Sequence, residues 1–126
     1  PRPINAFSTT TEAATADVEQ WIQYDFGSAM TFTEVALYPR NNDQTGVNFP
    51  QDYVIQSSTN GTDWTDVLSV TAPEDPYVPD PASDPVTHSF TATTAQYFRL
   101  KITKMVDNEA ADSFRAQLME LEVWGY

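Results

Sequence analysis

The sequence contains no cysteine and only one histidine, His88, among its 126 residues. Without cysteine the chain has no disulfide scaffold, no thiol nucleophile and no thiolate ligands for zinc or an iron–sulfur cluster. A single histidine argues against a histidine-cluster metal site and disfavours a Ser-His-Asp triad. No apolar run approaches the roughly 20 residues that a helix needs to cross a bilayer.

Basic residues are also scarce. Lysine and arginine together number 6, against 18 aspartates and glutamates, so the formal net charge is −12. A surface this acidic repels nucleic acid and anionic lipid. We therefore expect no nucleic-acid partner and no membrane insertion.

The length predicts one domain. A chain of 126 residues falls within the roughly 100–200 residues of a typical domain. The opening Pro1-Arg2-Pro3 resembles the middle of a longer sequence, and we see no internal repeat or linker. We expect residues 1–126 to be a single module of a larger protein.

Short segments with alternating apolar and polar residues dominate the chain, and turn residues separate them. Such spacing is typical of an antiparallel β-sandwich with little helix. The strongest turn signal is Asn60-Gly61, because both residue types tolerate positive φ. The predicted strands are 21–26, 32–38, 52–58, 64–70, 86–91, 96–103 and 117–124.

Three segments do not fit the strand pattern. Residues 8–19 are predicted as a short helix capped by Thr11 or as a loop. Residues 71–86 hold five of the nine prolines and are predicted as an extended loop. Residues 105–116 are predicted as a polar loop that has room for a helical turn.

One face of each strand in a sandwich must point inward, which predicts the core. The three tryptophans are interpreted as core or sheet-edge residues, and His88 as a surface or half-buried residue of a strand. The predicted core consists of Ile22, Tyr24, Phe26, Val35, Leu37, Val54, Val67, Phe98, Leu100, Leu121 and Val123.

Five sequence blocks form a series in the chain. In order they are WIQYDFG at 21–27, VALYPRNN at 35–42, FPQDYVIQSSTNGTDWTDV at 49–67, AQYFRLKIT at 95–103 and QLMELEVWG at 117–125. Together they resemble the discoidin or coagulation factor 5/8 C-type domain. Members of bacterial origin resemble family 32 carbohydrate-binding modules, which are jelly-roll sandwiches attached to secreted glycoside hydrolases. The resemblance therefore implies a galactose-binding-domain-like jelly roll.

The resemblance is incomplete at the start of the chain. The family's early Asp-Gly loop, which commonly supplies ligands to a structural calcium ion, is absent, and only Phe7-Ser8 stands for the segment that follows it. Either the chain is truncated or the domain has lost this part. The resemblance implies that Glu120 is a ligand if a structural calcium is bound, since carboxylate oxygens suit this hard cation.

The resemblance also implies a sugar site. In the family's carbohydrate-binding modules, an arginine after the strand that VALYPRNN resembles donates to neighbouring sugar hydroxyls, and Arg40 occupies this place. Its planar guanidinium grips two oxygens at once. The nearby amides of Asn41, Asn42 and Asn48 both donate and accept, although a turn role explains any single one of them better. Phe114 lies where the family often has a stacking aromatic ring.

A second aromatic candidate is Phe49, which precedes Pro50 at the end of the loop that contains Arg40. A structural role, in which its ring plugs the base of the loop, is an equal explanation. A salt bridge to Asp43 is the alternative role for Arg40.

Several carboxylates are present, but no motif arranges them as an acid–base pair and no nucleophile signature appears. We therefore expect no enzymatic activity.

The function that the resemblance implies is non-catalytic carbohydrate binding. Such a module directs an attached glycoside hydrolase or similar enzyme to glycans through a shallow site on loops. Its expected ligand is a galactose-type or related terminal sugar, its expected state is a monomer, and its expected location is extracellular or at the cell surface. The alternative is a structural or protein-binding accessory domain with no sugar ligand.

Overall fold

Every secondary-structure element in the described part of the chain is a β-strand. The computed structural model describes residues 4–8, 20–39, 49–73, 79, 85–107, 114–115 and 117–125, and of these the side chains at 21–39, 49–73, 79, 85–105 and 121–125. The strands are β1 (Ile4–Ser8), β2 (Gln20–Pro39), β3 (Asp52–Ser58), β4 (Thr65–Val70), β5 (Val86–Lys104), β6 (Val106–Asp107), β7 (Phe114–Arg115) and β8 (Gln117–Gly125).

Two strands are far longer than the sequence predicts. β2 has 20 residues and β5 has 19, and each joins two segments that we predicted as separate strands. The two strands pair with each other along their length, and the register shifts between Asp25 and Met30 and again between Phe32 and Glu34. These shifts bend the strands without ending the hydrogen-bonded ladder.

The bend in β2 is held by Asp25. Its Oδ1 accepts hydrogen bonds from the backbone N–H of Gly27 (2.8 Å) and from Nε2 of Gln96 (3.0 Å). The bond from Gln96, followed by that from Gly27, lowers the pKa of the exposed Asp25 carboxyl. Gly27 has φ of 82°, which an L-residue rarely adopts. These turn-like residues explain why the sequence suggested a break here.

The strand order is β1-β8-β2-β5-β3-β4, and all these pairs are antiparallel. The first half of β2 pairs with the second half of β5, which continues to β3 and β4. The second half of β2 lies between β8 and the first half of β5. The bend thus divides the sheet into two halves.

The two halves enclose one hydrophobic core, as the predicted jelly-roll sandwich requires. Val35 and Leu121 from one half and Ile55 and Leu100 from the other belong to a single buried cluster. Phe32 lies at the bend, and its ring centroid is 5.8, 5.9 and 6.0 Å from those of Phe26, Phe90 and Phe98. The all-β prediction is therefore confirmed for the described residues.

Most of the predicted core is buried. The buried members are Phe26, Val35, Leu37, Phe98, Leu100, Leu121 and Val123, while Ile22, Tyr24 and Val67 are partly buried against the cluster. The prediction for Val54 is wrong, because its neighbours Tyr53 and Ile55 are the apolar residues of β3 that are buried in the core. Val54 is opposite the polar Ser69 and Lys101.

The structure contains strands in two places where none is predicted. Residues 4–8 form β1, which pairs with β8. Within the predicted loop 105–116, β6 and β7 pair with each other, so a helical turn at those positions is excluded. Residues 71–73 carry no strand, as expected, and residues 9–19 lie outside the described part.

The Asn60-Gly61 turn is confirmed between β3 and β4. Gly61 has φ of 81°, and Oδ1 of Asn60 accepts hydrogen bonds from the backbone N–H groups of Thr62 (2.9 Å) and Asp63 (2.8 Å). This arrangement is an Asx turn, in which the side chain replaces backbone acceptors.

Candidate functional site

The bend in β2 brings the start and the end of this strand to the same end of the sandwich, which we call the loop end. Gln20 opens β2 opposite Ile102 near the end of β5, and Pro39 closes β2 opposite Leu118 near the start of β8. Asp52, the first residue of β3, is opposite Lys104 at the end of β5. The strands that flank residues 40–48 and 108–113 therefore end here.

Four of the predicted sugar-binding residues, Arg40, Asn41, Asn42 and Asn48, lie outside the described residues. The residues that flank this segment, 40–48, are held in place on both sides. Pro39 pairs with Leu118 on one side, and on the other the backbone N–H of Gln51 donates to the carbonyl of Lys104 (3.0 Å).

Phe49 does not present a ring to a ligand at the surface. It is only 1% exposed and belongs to the hydrophobic core. Its carbonyl accepts a hydrogen bond from Nε2 of the buried Gln51 (2.7 Å). The structural alternative is therefore correct for this residue, which anchors the end of the arginine loop in the core.

Phe114 lies at the loop end through its backbone. It belongs to β7, opposite Asp107, and its neighbour Arg115 is opposite Val106. β7 is separated from the start of β8 by a single residue, and that part of β8 is the pairing partner of Pro39. The chain topology thus places the backbone of Phe114 close to Pro39, the residue that precedes the arginine loop (residues 40–48).

Glu120, the predicted calcium ligand, is located by its backbone only. It is opposite Tyr38 of β2 and Asn5 of β1, in the interior of the sheet half. Among the residues with described side chains, no group of three or more acidic or histidine residues could hold a metal ion. The role of Glu120 stays a prediction.

A cavity of about 200 Å³ opens at the loop end between the two sheet halves. No local sequence pattern points to this cavity, because its walls come from strands that are distant in sequence. It is lined by Phe49, Gln51, Tyr53, Val70, Thr71, Ala72, Pro73, Val86 and His88.

Tyr53 and His88 join the two halves of the sandwich at this cavity. The hydroxyl of Tyr53 and Nε2 of His88 are 2.6 Å apart, and the two rings meet edge to face with centroids separated by 5.6 Å. Burial lowers the pKa of the half-buried His88, so its imidazole stays neutral to lower pH. The prediction that His88 is a surface or half-buried strand residue is confirmed.

The core interpretation of the tryptophans is wrong, whereas Trp21 fits the sheet-edge alternative, because its part of β2 pairs with β5 alone among the described strands. Trp21 is 54% exposed and Trp124 is 39% exposed, while Trp64 is partly exposed. Trp21 and Trp64 lie on the outer face of one sheet half, where Arg99 extends between them. The alternation in the sequence did place Trp21 on the face opposite Ile22.

No helix that is long and apolar enough to cross a bilayer occurs among the described residues. A family model for the F5/8 type C domain matches residues 4–118. A comparison with curated proteins gives no match.

Solved structures share the fold. One is a CBM32 domain from a family 31 glycoside hydrolase of Clostridium perfringens, with a TM-score of 0.75 and 19% identity over 96% of this chain and 75% of that one. Another is chitosan-binding module 1 from a chitosanase/glucanase of Paenibacillus sp. IK-5, with a TM-score of 0.61 and 24% identity over 95% and 93%.

A third similar structure is a CBM32 domain of Clostridium perfringens in complex with GalNAc-β-1,3-galactose. Its TM-score is 0.63, with 16% identity over 96% of each chain. At such identities the likeness establishes the fold and leaves the ligand of this chain to be argued separately.

Proposed function

Since the chain belongs to the F5/8 type C domain family, we propose that it is a non-catalytic module that binds carbohydrate. Similar solved structures are carbohydrate-binding modules, which supports this class of function. In the proposal the module is a monomer of an extracellular protein and directs an attached glycoside hydrolase or similar enzyme to glycans.

The observation that carries the proposal is the convergence of strand ends at the loop end. Pro39, which precedes Arg40, pairs with the same part of β8 that follows Phe114. Two segments distant in sequence therefore leave the sandwich close together, and loops held by a rigid scaffold are common places for binding residues. This arrangement supports a site formed jointly by the 40–48 and 108–114 segments.

Each candidate residue has a chemical role at such a site. Arg40 donates to two neighbouring hydroxyls of a terminal galactose-type sugar, because its guanidinium presents donors in a fixed fork. Asn41, Asn42 and Asn48 exchange hydrogen bonds with the remaining hydroxyls. The ring of Phe114 covers the apolar C–H face of the sugar.

Affinity at such a shallow site should be weak. Each neutral hydrogen bond contributes about 1 kcal/mol net. A Kd of about 0.1–1 mM, equivalent to roughly −4 to −5.5 kcal/mol, is the corresponding expectation.

The test is titration by calorimetry or NMR with galactose, N-acetylgalactosamine, fucose and rhamnose. Arg40→Ala should abolish measurable binding, because a charge-assisted hydrogen bond contributes about 1.5–3 kcal/mol. Arg40→Lys keeps the charge but loses the fork and should recover only part of the affinity. Phe114→Ala should also weaken binding, and its matched control is Trp124→Ala, since Trp124 is an exposed ring near the opposite end of β8.

Equal binding by wild type and Arg40→Ala would place the sugar site elsewhere. If neither protein binds any sugar on a broad glycan array, the alternative of a structural or protein-binding accessory domain is favoured. Thermal melting of each variant checks that loss of binding does not reflect loss of folding, and a loop arginine should change the Tm little.

A further inference from the structure

An aromatic stack occupies the outer face of one sheet half. The guanidinium carbon of Arg99 lies 4.1 Å from the ring centroid of Trp64 and 5.7 Å from that of Trp21. Trp21 comes from β2, Arg99 from β5, and Trp64 from the turn that leads into β4. Three separate parts of the chain therefore converge on one surface.

Hydrogen bonds fix this stack in place. Nε of Arg99 donates to Oε1 of the buried Gln56 (2.8 Å), and Nε2 of Gln56 donates to Oδ1 of Asp66 (2.7 Å). Trp64 also meets Tyr97 edge to face, with ring centroids 6.5 Å apart. Because its members are already ordered, the surface loses little side-chain entropy when a ligand binds.

Core packing does not explain the position of Trp21. Its side chain is on the opposite face of β2 from Ile22, which packs against the core, and 54% of its surface is exposed. Arg99 covers one side of the Trp21 indole, and the rest of this ring forms an apolar surface that is open to solvent. Polar side chains flank this surface, since Gln23 follows on the same face and Lys101 is directly opposite Trp21.

We propose that the Trp21–Arg99–Trp64 surface is a second glycan-contacting surface, which binds the flat side of an extended neutral polysaccharide. Pyranose rings with equatorial substituents expose apolar C–H faces that pack on an indole, and their hydroxyls need adjacent donors and acceptors. An exposed indole between an amide and an ammonium group provides this combination. The inference takes only its class of ligand, carbohydrate, from the proposed function. The surface itself is separate from the proposed loop-end site.

The local charges favour a neutral ligand. Beside the stack lie two cations, Arg99 and Lys101, and three carboxylates, Asp25, Asp63 and Asp66. These charges nearly balance, in a chain whose net charge is −12. A polyanion would meet the acidic remainder of the surface, whereas a neutral chain has no such cost.

The orientation of the surface separates its role from that of the loop end. A site at strand ends suits a terminal sugar, while a sheet face suits the side of a longer chain. Two weak contacts with one polysaccharide increase the overall affinity through effective concentration. The module would therefore bind polymers more tightly than monosaccharides.

The test uses the three indole N–H resonances of the protein, which has three tryptophans. Spectra of Trp21→Ala and Trp124→Ala each lose one resonance and so assign all three. Titration of the wild type with cellohexaose and with the hexamer of N-acetylglucosamine should shift the resonances of Trp21 and Trp64. That of Trp124, which is exposed but outside the stack, should stay in place.

Affinity provides the second readout. Trp21→Ala should weaken binding of the hexasaccharides about three- to tenfold, while the matched Trp124→Ala leaves it unchanged. Arg40→Ala should leave the Trp21 shift intact, which separates this surface from the loop-end site, and galactose titration tests the latter independently. Thermal melting verifies that both tryptophan variants are folded.

Three outcomes would overturn the inference. The Trp21 resonance could fail to shift with either hexasaccharide, or folded Trp21→Ala could bind them as tightly as the wild type. A shift seen only with the hexamer of galacturonic acid would contradict the assignment to neutral glycans.

Discussion

The neighbouring residues Ile55 and Val54 provide a sharp test of the β3 register. Ile55 is fully buried, and it lies between Leu68 of β4 and Leu100 of β5. Val54 is partly exposed, and the residues opposite it are Ser69 and Lys101. The two β-branched side chains differ in the face of the strand they occupy, so truncation of each to alanine compares the two faces directly.

The expected losses differ several-fold. Ile55→Ala removes buried carbon atoms between Leu68 and Leu100 and leaves a cavity. This change should lower the free energy of unfolding by about 2–5 kcal/mol. Val54→Ala loses mainly strand propensity on a partly solvated face, at about 1 kcal/mol or less. Since domains are typically stable by about 5–15 kcal/mol, both variants should fold.

Urea denaturation followed by tryptophan fluorescence and by circular dichroism measures these losses. With a slope of about 2 kcal/mol per molar urea, Ile55→Ala should lower the midpoint by roughly 1–2.5 M and Val54→Ala by about 0.5 M or less. Coincident transitions by the two probes verify two-state behaviour. If Val54→Ala lost as much stability as Ile55→Ala, our assignment of the inward face of β3 would be wrong.

Three further predictions concern a glycine, the histidine and a metal. A Cβ at Gly125 would overlap the backbone of Thr31, so Gly125→Ala should cost about 1–3 kcal/mol in urea denaturation, and an unchanged midpoint would contradict the close approach. Burial lowers the pKa of His88 in the folded protein, so the unfolded chain binds this proton first as the pH falls. The unfolding free energy should therefore drop as the pH falls below the usual 6.5, and this drop should vanish in His88→Gln. Millimolar calcium should raise the Tm relative to EDTA, and Glu120→Gln should remove the rise; identical melting curves of the wild type would rule out a significant calcium site.

The strand content of the fold could be predicted from local alternation. β3 matches its predicted bounds, and β4 and β8 differ from theirs by one residue. The continuity of β2 could not be predicted, because Asp25 and Gly27 have the local chemistry of a turn. Only the pairing with β5, whose register shifts at the same place, shows that the ladder resumes beyond the bend.

The candidate site was less predictable than the fold. Arg40 and Phe114 were selected by resemblance, and the sequence offered no physical measure of their separation. The pairing of Pro39 with Leu118 gives part of this separation, because it shows that the segments with Arg40 and Phe114 leave the sandwich at the same end. The cavity beside His88 was not predictable, since its walls combine side chains from β3, β4 and β5 with the segment before β3.

The error at Val54 and the open choice between core and sheet edge for Trp21 have one physical origin. Tyr53, Val54 and Ile55 are consecutive apolar residues, so alternation alone does not specify which of them points inward. Trp21 is large and apolar, which suggests burial, yet it is opposite Lys101 and exposed. In both cases the cross-strand neighbours determine the environment of the side chain. Those neighbours lie tens of residues away in sequence, so the pairing register carries information that no local window contains.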